Sequence, residues 1–243
     1  MTALRRLLRP SVRRTERRFL IEGPQGVAAA AAAGLLLEVY ATEQAAARLR
    51  VDVPVTIVGD KALAMLTETV TPQGVVGVAA SIDVPLARAL AGARLVVVLH
   101  DVRDPGNAGT IVRTADAAGA DAVLLTGDAV DIHNGKSVRA SAGSVFHLPI
   151  AVCGLAEALP ALRAAGLTVL ATTGAADRTV EEVDLARPTA WLLGNEAHGL
   201  PPEVVAAADE AVRIPIHGRA ESLNVASAAA VCLYASSRCL PKS

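Results

Sequence analysis

Asp104-Pro105-Gly106-Asn107-Ala108-Gly109-Thr110-Ile111-Val112-Arg113-Thr114-Ala115-Asp116 follows closely on the apolar run Leu95–Leu99. A strand, a Pro-Gly turn and a helix start in that order read as one βα unit whose first N–H groups face an anion. For this loop alone a plain tight connection, with Asn107 as the helix cap, explains the residues well enough. Two familiar nucleotide folds are excluded. Gly106-Asn107-Ala108-Gly109 supplies only G-x-x-G where a dinucleotide site needs G-x-G-x-x-G, and Gly135-Lys136-Ser137 lacks the upstream glycine of a P-loop.

Outward from this unit the pattern keeps alternating. Downstream, the helix Asn107–Ala118 closes at Gly119, and a strand is predicted at Ala122–Leu125. A helix around Ser137–Gly143, a strand Val145–Ile150, a helix Leu155–Ala165 and a strand Leu167–Ala171 follow. Strands Ala190–Leu193 and Val212–Ile214, a helix from Pro201 to about Ala208 and a last helix Ser222–Arg238 complete the series. Upstream, helices near 24–33, from Thr42 and at Lys61–Leu66 alternate with strands Leu36–Ala41, Val55–Val58 and Val75–Ala80, which reads as a small α/β unit. Ser81–Arg94 is the connector. Strands alternating with helices imply an α/β fold with a mostly parallel sheet covered on both faces.

Composition narrows the functional classes. The 243 residues are 52% hydrophobic, enough for a substantial core, but only 2% aromatic, so RNA recognition by exposed stacking platforms is scarce. Net charge is −1, yet residues 1–18 hold seven arginines against Glu16. That block fits a phosphate-binding footprint and a solvated, unstructured tail equally well. Glu22, Gly23, Pro24 and Gln25 interrupt any reading of the start as a secretory signal, and no apolar run approaches the ~20 residues of a membrane span. Cys153, Cys232 and Cys239 show no paired spacing and the histidines are scattered, so a cytoplasmic setting without a metal is expected.

Two further loops change the odds for the first. Gly194-Asn195-Glu196-Ala197-His198-Gly199-Leu200 follows the buried strand around Trp191-Leu192-Leu193, at the carboxyl end where open α/β sheets bind ligands. Glu196 there reads either as a functional carboxylate or as an acid in the first turn of the next helix. Ile214-Pro215-Ile216 stands at another strand end, and Ser222 and Asn224, both good capping residues, open the last helix.

Taken together, the three segments resemble the motifs of the SpoU/TrmH family of RNA ribose 2′-O-methyltransferases: D-P-x-N-x-G-x-x-x-R-[ST]-A from Asp104 to Ala115, G-x-E-x-x-G-[LI] from Gly194 to Leu200, and I-P-[MI]-x-G-x-x-x-S-L-N-V from Ile214 to Val225. The resemblance implies a SPOUT-class α/β domain with a deep trefoil knot over 92–243. Residues 1–85 resemble the family's small, ribosomal-protein-like RNA-binding domain through Arg17-Arg18-Phe19-Leu20-Ile21-Glu22-Gly23. It also implies S-adenosylmethionine as cofactor, contacted at Gly194, Ile214, Leu223 and Thr172 or Thr173, and a homodimer with the site at the subunit junction. Asn107, Arg113, Glu196, Ser222 and Asn224 would be the catalytic set, and Arg17, Arg18, Arg139 and Ser141 would face RNA. The implied substrate is RNA, 23S rRNA ahead of tRNA. A non-catalytic RNA-binding or ribosome-assembly factor is the reading from another class.

Overall fold

A computed structural model describes residues 2–240. Its elements are α1 (Thr2–Arg5), α2 (Pro10–Glu16), β1 (Arg18–Glu22), α3 (Pro24–Ala32), β2 (Leu36–Ala41), α4 (Glu43–Ala46), β3 (Val55–Ile57), α5 (Asp60–Ala64), β4 (Val75–Ala80) and α6 (Leu86–Ala89). Then follow β5 (Leu95–His100), α7 (Pro105–Ala118), β6 (Ala122–Thr126), α8 (Gly135–Ala140), β7 (Ile150–Cys153), α9 (Leu155–Ala164) and β8 (Thr168–Thr172). The chain ends with β9 (Thr189–Leu193), α10 (Pro202–Ala207), β10 (Glu210–Val212) and α11 (Val225–Cys239).

Six strands form an all-parallel sheet in the order β10-β8-β9-β5-β6-β7. The strand β5, Leu-Val-Val-Val-Leu-His, is buried along its whole length, as a central strand covered on both faces must be. Its alternate side chains serve different cores. Leu95, Val97 and Leu99 join Ile111 of α7 and Leu233 of α11 on one face, while Val96 and Val98 join Leu159 and Leu162 of α9 on the other. Trp191 of β9 is fully buried, and its indole N–H donates to Ser236 Oγ of α11 at 2.8 Å, which satisfies the donor inside the core.

The four-stranded sheet β1-β4-β2-β3 is mixed: β4 runs antiparallel to β1 and β2, and β2 runs parallel to β3. One of its faces packs Leu7, Leu63 and Leu66 against Leu20, Val76 and Val78. The other continues into the core of the parallel sheet, where Phe19 stacks on Phe146 at 6.2 Å and meets His133 edge-on at 5.0 Å.

Several expectations need correction. Val145–Ile150 is not a strand; Gly143, at φ 100°, leads into a 3-10 turn over Ser144–Phe146, and the strand starts at Ile150 after Pro149. Val145 and Phe146 are apolar because they are packed in the core. Strand β10 ends at Val212, two residues before Ile214. The arginine block is not an unstructured tail: it runs through α1 and α2 into β1, with Arg5, Arg6, Arg9, Arg14 and Arg17 exposed. Arg13 is 5% exposed, its guanidinium donating to the carbonyls of Leu7 and Leu8 and to Asp131 Oδ2, all at 2.9 Å. No described helix is long and apolar enough to cross a membrane.

Candidate active site

The chain runs β5-β6-β7 to one side of the parallel sheet and β8-β9-β10 to the other, so the strand order switches beside β5 and β9. Open α/β sheets bind ligands at the carboxyl ends of strands at such a point. The loops after β5, β8, β9 and β10 all meet there.

Helix α7 starts cleanly. Asp104, not Asn107, is the cap: its Oδ1 accepts from the Asn107 N–H at 2.8 Å, and Pro105 occupies the first turn. Capping by Asp104 leaves the Asn107 amide free for other work. Asn107 Nδ2 donates to Glu196 Oε1 at 3.2 Å, and Asn224 Nδ2 donates to Asn107 Oδ1 at 3.1 Å. Residues from all three motifs thus form one hydrogen-bonded chain.

Glu196 is the hub. Its carboxylate accepts from the backbone N–H groups of Arg103 at 3.2 Å and Asp104 at 3.0 Å as well as from Asn107. Partial burial pushes its pKa up, but the hydrogen bonds outweigh that and hold it below the usual glutamate value. The group is anionic at neutral pH. It does not serve the first turn of the next helix, since α10 starts only at Pro202.

The loop that carries Glu196 is closed by its own backbone. Asn195 and Gly199 exchange N–H···O bonds at 3.1 and 2.9 Å, and a Cβ on Gly194 would stand 2.3 Å from the Gly199 carbonyl carbon. Only glycine fits at 194. Asn195, which the sequence reading passed over, ties this loop to the end of β5 by donating from Nδ2 to the Asp101 carbonyl at 2.8 Å. Its Oδ1 accepts from the N–H groups of Ala197 and His198. An asparagine between the motif's glycine and glutamate was the available signal.

Beside the hub lies a cavity of about 340 Å³. Gly194, Ile214, Leu223, Thr172 and Thr173 all line it, as do Glu196 and Ser222. Thr172 is partly committed, its hydroxyl donating to the Leu192 carbonyl at 3.1 Å. His198, Ile216 and Val225, which stand within the second and third motifs, also line the cavity, as do Gly174 and Ala228, which had no signal of their own in the sequence. Asn224 caps α11 by accepting from the Ala226 N–H at 2.9 Å, which leaves Ser222 in the loop and exposed.

Arg113 stands apart. It is exposed on α7, six residues or about 9 Å along the axis from Asn107, and none of its side-chain hydrogen bonds is to Asn107, Glu196, Ser222 or Asn224. Within one chain, these four residues therefore do not hold Arg113 by hydrogen bonds. Among the residues expected to face RNA, Arg17 pairs with Asp83 at 2.6 Å, Arg18 with Glu16 at 2.6 Å and Arg139 with Glu22 at 2.8 Å. Ser141 is fully buried and donates to the Val138 carbonyl at 2.7 Å, so its hydroxyl supports the end of α8 and does not face RNA.

A parallel α/β sheet with a cavity of cofactor size at the strand switch point, walled by polar loops, is the arrangement of a ligand-binding α/β domain. Residues 94–234 match the model of the SpoU rRNA methylase family, and residues 1–77 match the MRM3-like substrate binding domain. The chain belongs to the SpoU rRNA methylase family. It is 36% identical over 219 residues to the 23S rRNA (guanosine(2553)-2′-O)-methyltransferase RlmP of Bacillus subtilis, covering 89% of this chain and 87% of that protein. The AdoMet-bound rRNA methyltransferase of Sinorhizobium meliloti superposes with TM-score 0.89 at 36% identity, over 99% of this chain and 95% of its own. The SpoU methyltransferase AviRb of Streptomyces viridochromogenes, also solved with AdoMet, gives TM-score 0.87 at 30% identity over 98% and 96%.

Proposed function

We propose that this protein transfers the methyl group of S-adenosylmethionine to a ribose 2′-hydroxyl of 23S rRNA in the cytoplasm. The observation that carries the reading is the Glu196 hub set against the cavity: one carboxylate fixes the β5–α7 loop beside a pocket lined by the other two motifs. At about 340 Å³ the cavity falls in the size class of cofactor sites, and its mix of backbone, hydroxyl and apolar groups suits a nucleoside with an amino-acid tail. Gly194, Ile214, Leu223 and Thr172 would hold the cofactor, which supplies an electrophilic methyl group on sulfur.

The remaining work belongs to the chain's own residues. A ribose hydroxyl is a weak nucleophile and must lose its proton as it attacks; with Ser222 and Asn224 exposed at the site, that proton would pass to solvent water, and the bond broken would be the methyl–sulfur bond of the cofactor. Base assistance is worth roughly 3–5 kcal/mol, whereas alignment of the reacting groups can supply about 7–11 kcal/mol, so positioning dominates. Glu196, already committed to Arg103, Asp104 and Asn107, acts as an anchor and takes no proton. Asn107, Ser222 and Asn224 orient the ribose. Arg113 grips the neighbouring phosphate through its guanidinium so that the hydroxyl is held in line.

A homodimer with the site at the subunit junction supports that arrangement. Leu223, Val231 and Tyr234 are large exposed apolar residues on or beside α11, and Arg113 faces outward. We assign residues 1–85 to RNA binding and 92–243 to methyl transfer, with the backbone knotted in the second unit. The rRNA reading is favoured because the rRNA relatives from B. subtilis and S. meliloti align over nearly all of the chain, the N-terminal unit included.

Incubating the purified protein with methyl-tritiated cofactor and fractionated RNA tests this. Label should enter 23S rRNA and not tRNA, and Arg113→Ala should lower turnover by at least about 100-fold while calorimetry finds cofactor affinity within about twofold. Label confined to tRNA, or none in any RNA, would overturn the substrate; parallel loss of cofactor binding in the variant would overturn the role of Arg113.

A further inference from the structure

A second cavity, of about 240 Å³, lies where the four-stranded sheet meets α8. Its walls come from both units. The N-terminal side contributes the β1–α3 turn with Gly23 and Gln25 and the segment Thr67–Gln73; the other side contributes Val138, Arg139 and the turn Ala142-Gly143. Nothing in the methyl-transfer account uses it.

Four features describe what it accepts. Gln25 and Gln73 are exposed amides on its rim, each with donor and acceptor to offer, and Thr67 and Thr71 add hydroxyls. Val75, Val138 and Pro72 give it apolar walls, and no aromatic ring lines it. The Glu22–Arg139 pair is fastened within it, Glu22 accepting also from the Thr69 hydroxyl at 2.7 Å and the Glu68 N–H at 2.8 Å. Ala142, at φ 50°, is one of three non-glycine residues with a left-handed backbone among the described residues; such strain persists only where surrounding structure enforces it.

We propose that this seam cavity receives one unpaired nucleobase of the RNA substrate, from a nucleotide other than the methylated one, and reads its edge through Gln25 and Gln73. The proposal rests on the RNA-methyltransferase reading above. A flat, edge-polar group about the size of a base matches a small cavity with apolar walls and amide rims, and single-stranded bases are the usual targets of sequence-specific RNA recognition. A phosphate would instead require free cations, and the one guanidinium here is engaged by Glu22. Helix α8 connects the two sites: Lys136 reaches Asp104 at 2.9 Å beside the catalytic hub, and Arg139 lies one turn further on at the cavity. A base seated in the seam therefore fixes RNA bound to both units close to the reacting ribose.

The test uses the full chain and 23S rRNA transcripts substituted with 4-thiouridine. Photocrosslinks should map to peptides containing residues 22–26 or 67–73. The double variant Gln25→Leu/Gln73→Leu, altered only at exposed side chains, should lose those crosslinks and raise KM for RNA by about tenfold, with little change in kcat. Changing the crosslinked nucleotide in the transcript should cost the wild type roughly 10–100-fold in kcat/KM and the double variant almost nothing. Absence of crosslinks at the seam, an unchanged KM, or a KM increase identical for every base would overturn the proposal. Crosslinking reads RNA seating without turnover, so failure of the methyl-transfer reading would be separately visible as a wild type that crosslinks but transfers no label.

Discussion

Gly109 shows how a motif residue can be structural and still indispensable. A mid-helix glycine normally costs about 1 kcal/mol against alanine, so replacing it should help. Here an added Cβ would stand 2.3 Å from the Ser137 carbonyl oxygen and 2.7 Å from Ala140 Cβ, both on α8. Gly109→Ala should therefore destabilise the protein by about 1–3 kcal/mol, read as a lowered midpoint in urea unfolding; a stabilised variant would show that α8 does not press on α7. The other residues of the same motif divide the remaining tasks. Asp104 caps the helix, Asn107 reaches Glu196, and Lys136 closes over the turn by pairing with Asp104. That pairing, then the Asn107 N–H, depresses the Asp104 pKa and keeps the cap anionic.

At the level of elements, the parallel sheet was readable because its strands are continuous apolar runs between turn signals. Leu95–Leu99 and Ala122–Leu125 are each within one residue of β5 and β6. Gly119 ends α7 in the left-handed conformation, at φ 75°, as its position suggested. What failed had physical causes. Strand β1 was hidden in an arginine-rich context, although Phe19-Leu20-Ile21 are all buried. Val145-Phe146 has strand composition but sits in a turn whose geometry is set by Gly143. For the candidate site, motif spacing located the cavity walls, because glycines and strand ends leave a sequence signal. It could not show that Arg113 makes no hydrogen bond to the other four catalytic candidates, nor that Arg17, Arg18 and Arg139 are each tied to a carboxylate, because such pairings depend on chain packing across 2 to 117 residues.

On the scale of the whole molecule, the two units are fastened by an ionic cluster around the buried His133. His133 Nδ1 lies 3.1 Å from Asp131 Oδ1 and Nε2 lies 3.3 Å from Asp83 Oδ1; Arg13 pairs with Asp131 and Arg17 with Asp83. Burial opposes the imidazolium, as does the Ile82 N–H directed at Nε2 from 3.2 Å, yet the two carboxylates raise the His133 pKa. The His133 ring beside it, against burial and with help from Arg17, holds Asp83 well below the usual carboxylate range. Burial likewise works against Asp131, but His133 and Arg13 bring it down to about 2. The raised histidine contributes stability that is complete below its unfolded value of about 6.5 and lost as pH rises through its folded value. The depressed aspartates contribute stability present above about 4 and lost as pH falls. The junction should be firmest between about pH 4 and 6.5. In thermal unfolding from pH 6 to 9, the wild type should lose about 2–4 °C more than His133→Gln; superimposable profiles would show that the cluster does not couple the units.

The central claim is that three distant loops assemble one site for methylating a ribose in 23S rRNA. The most direct measurement is a nucleotide-resolution map of ribose methylation in rRNA and tRNA from cells with and without this gene, complemented by wild type or Arg113→Ala. We expect one 2′-O-methyl group to disappear from 23S rRNA, to return with the wild type and to stay absent with the variant. An unchanged rRNA map, or a mark restored by Arg113→Ala, would contradict the account.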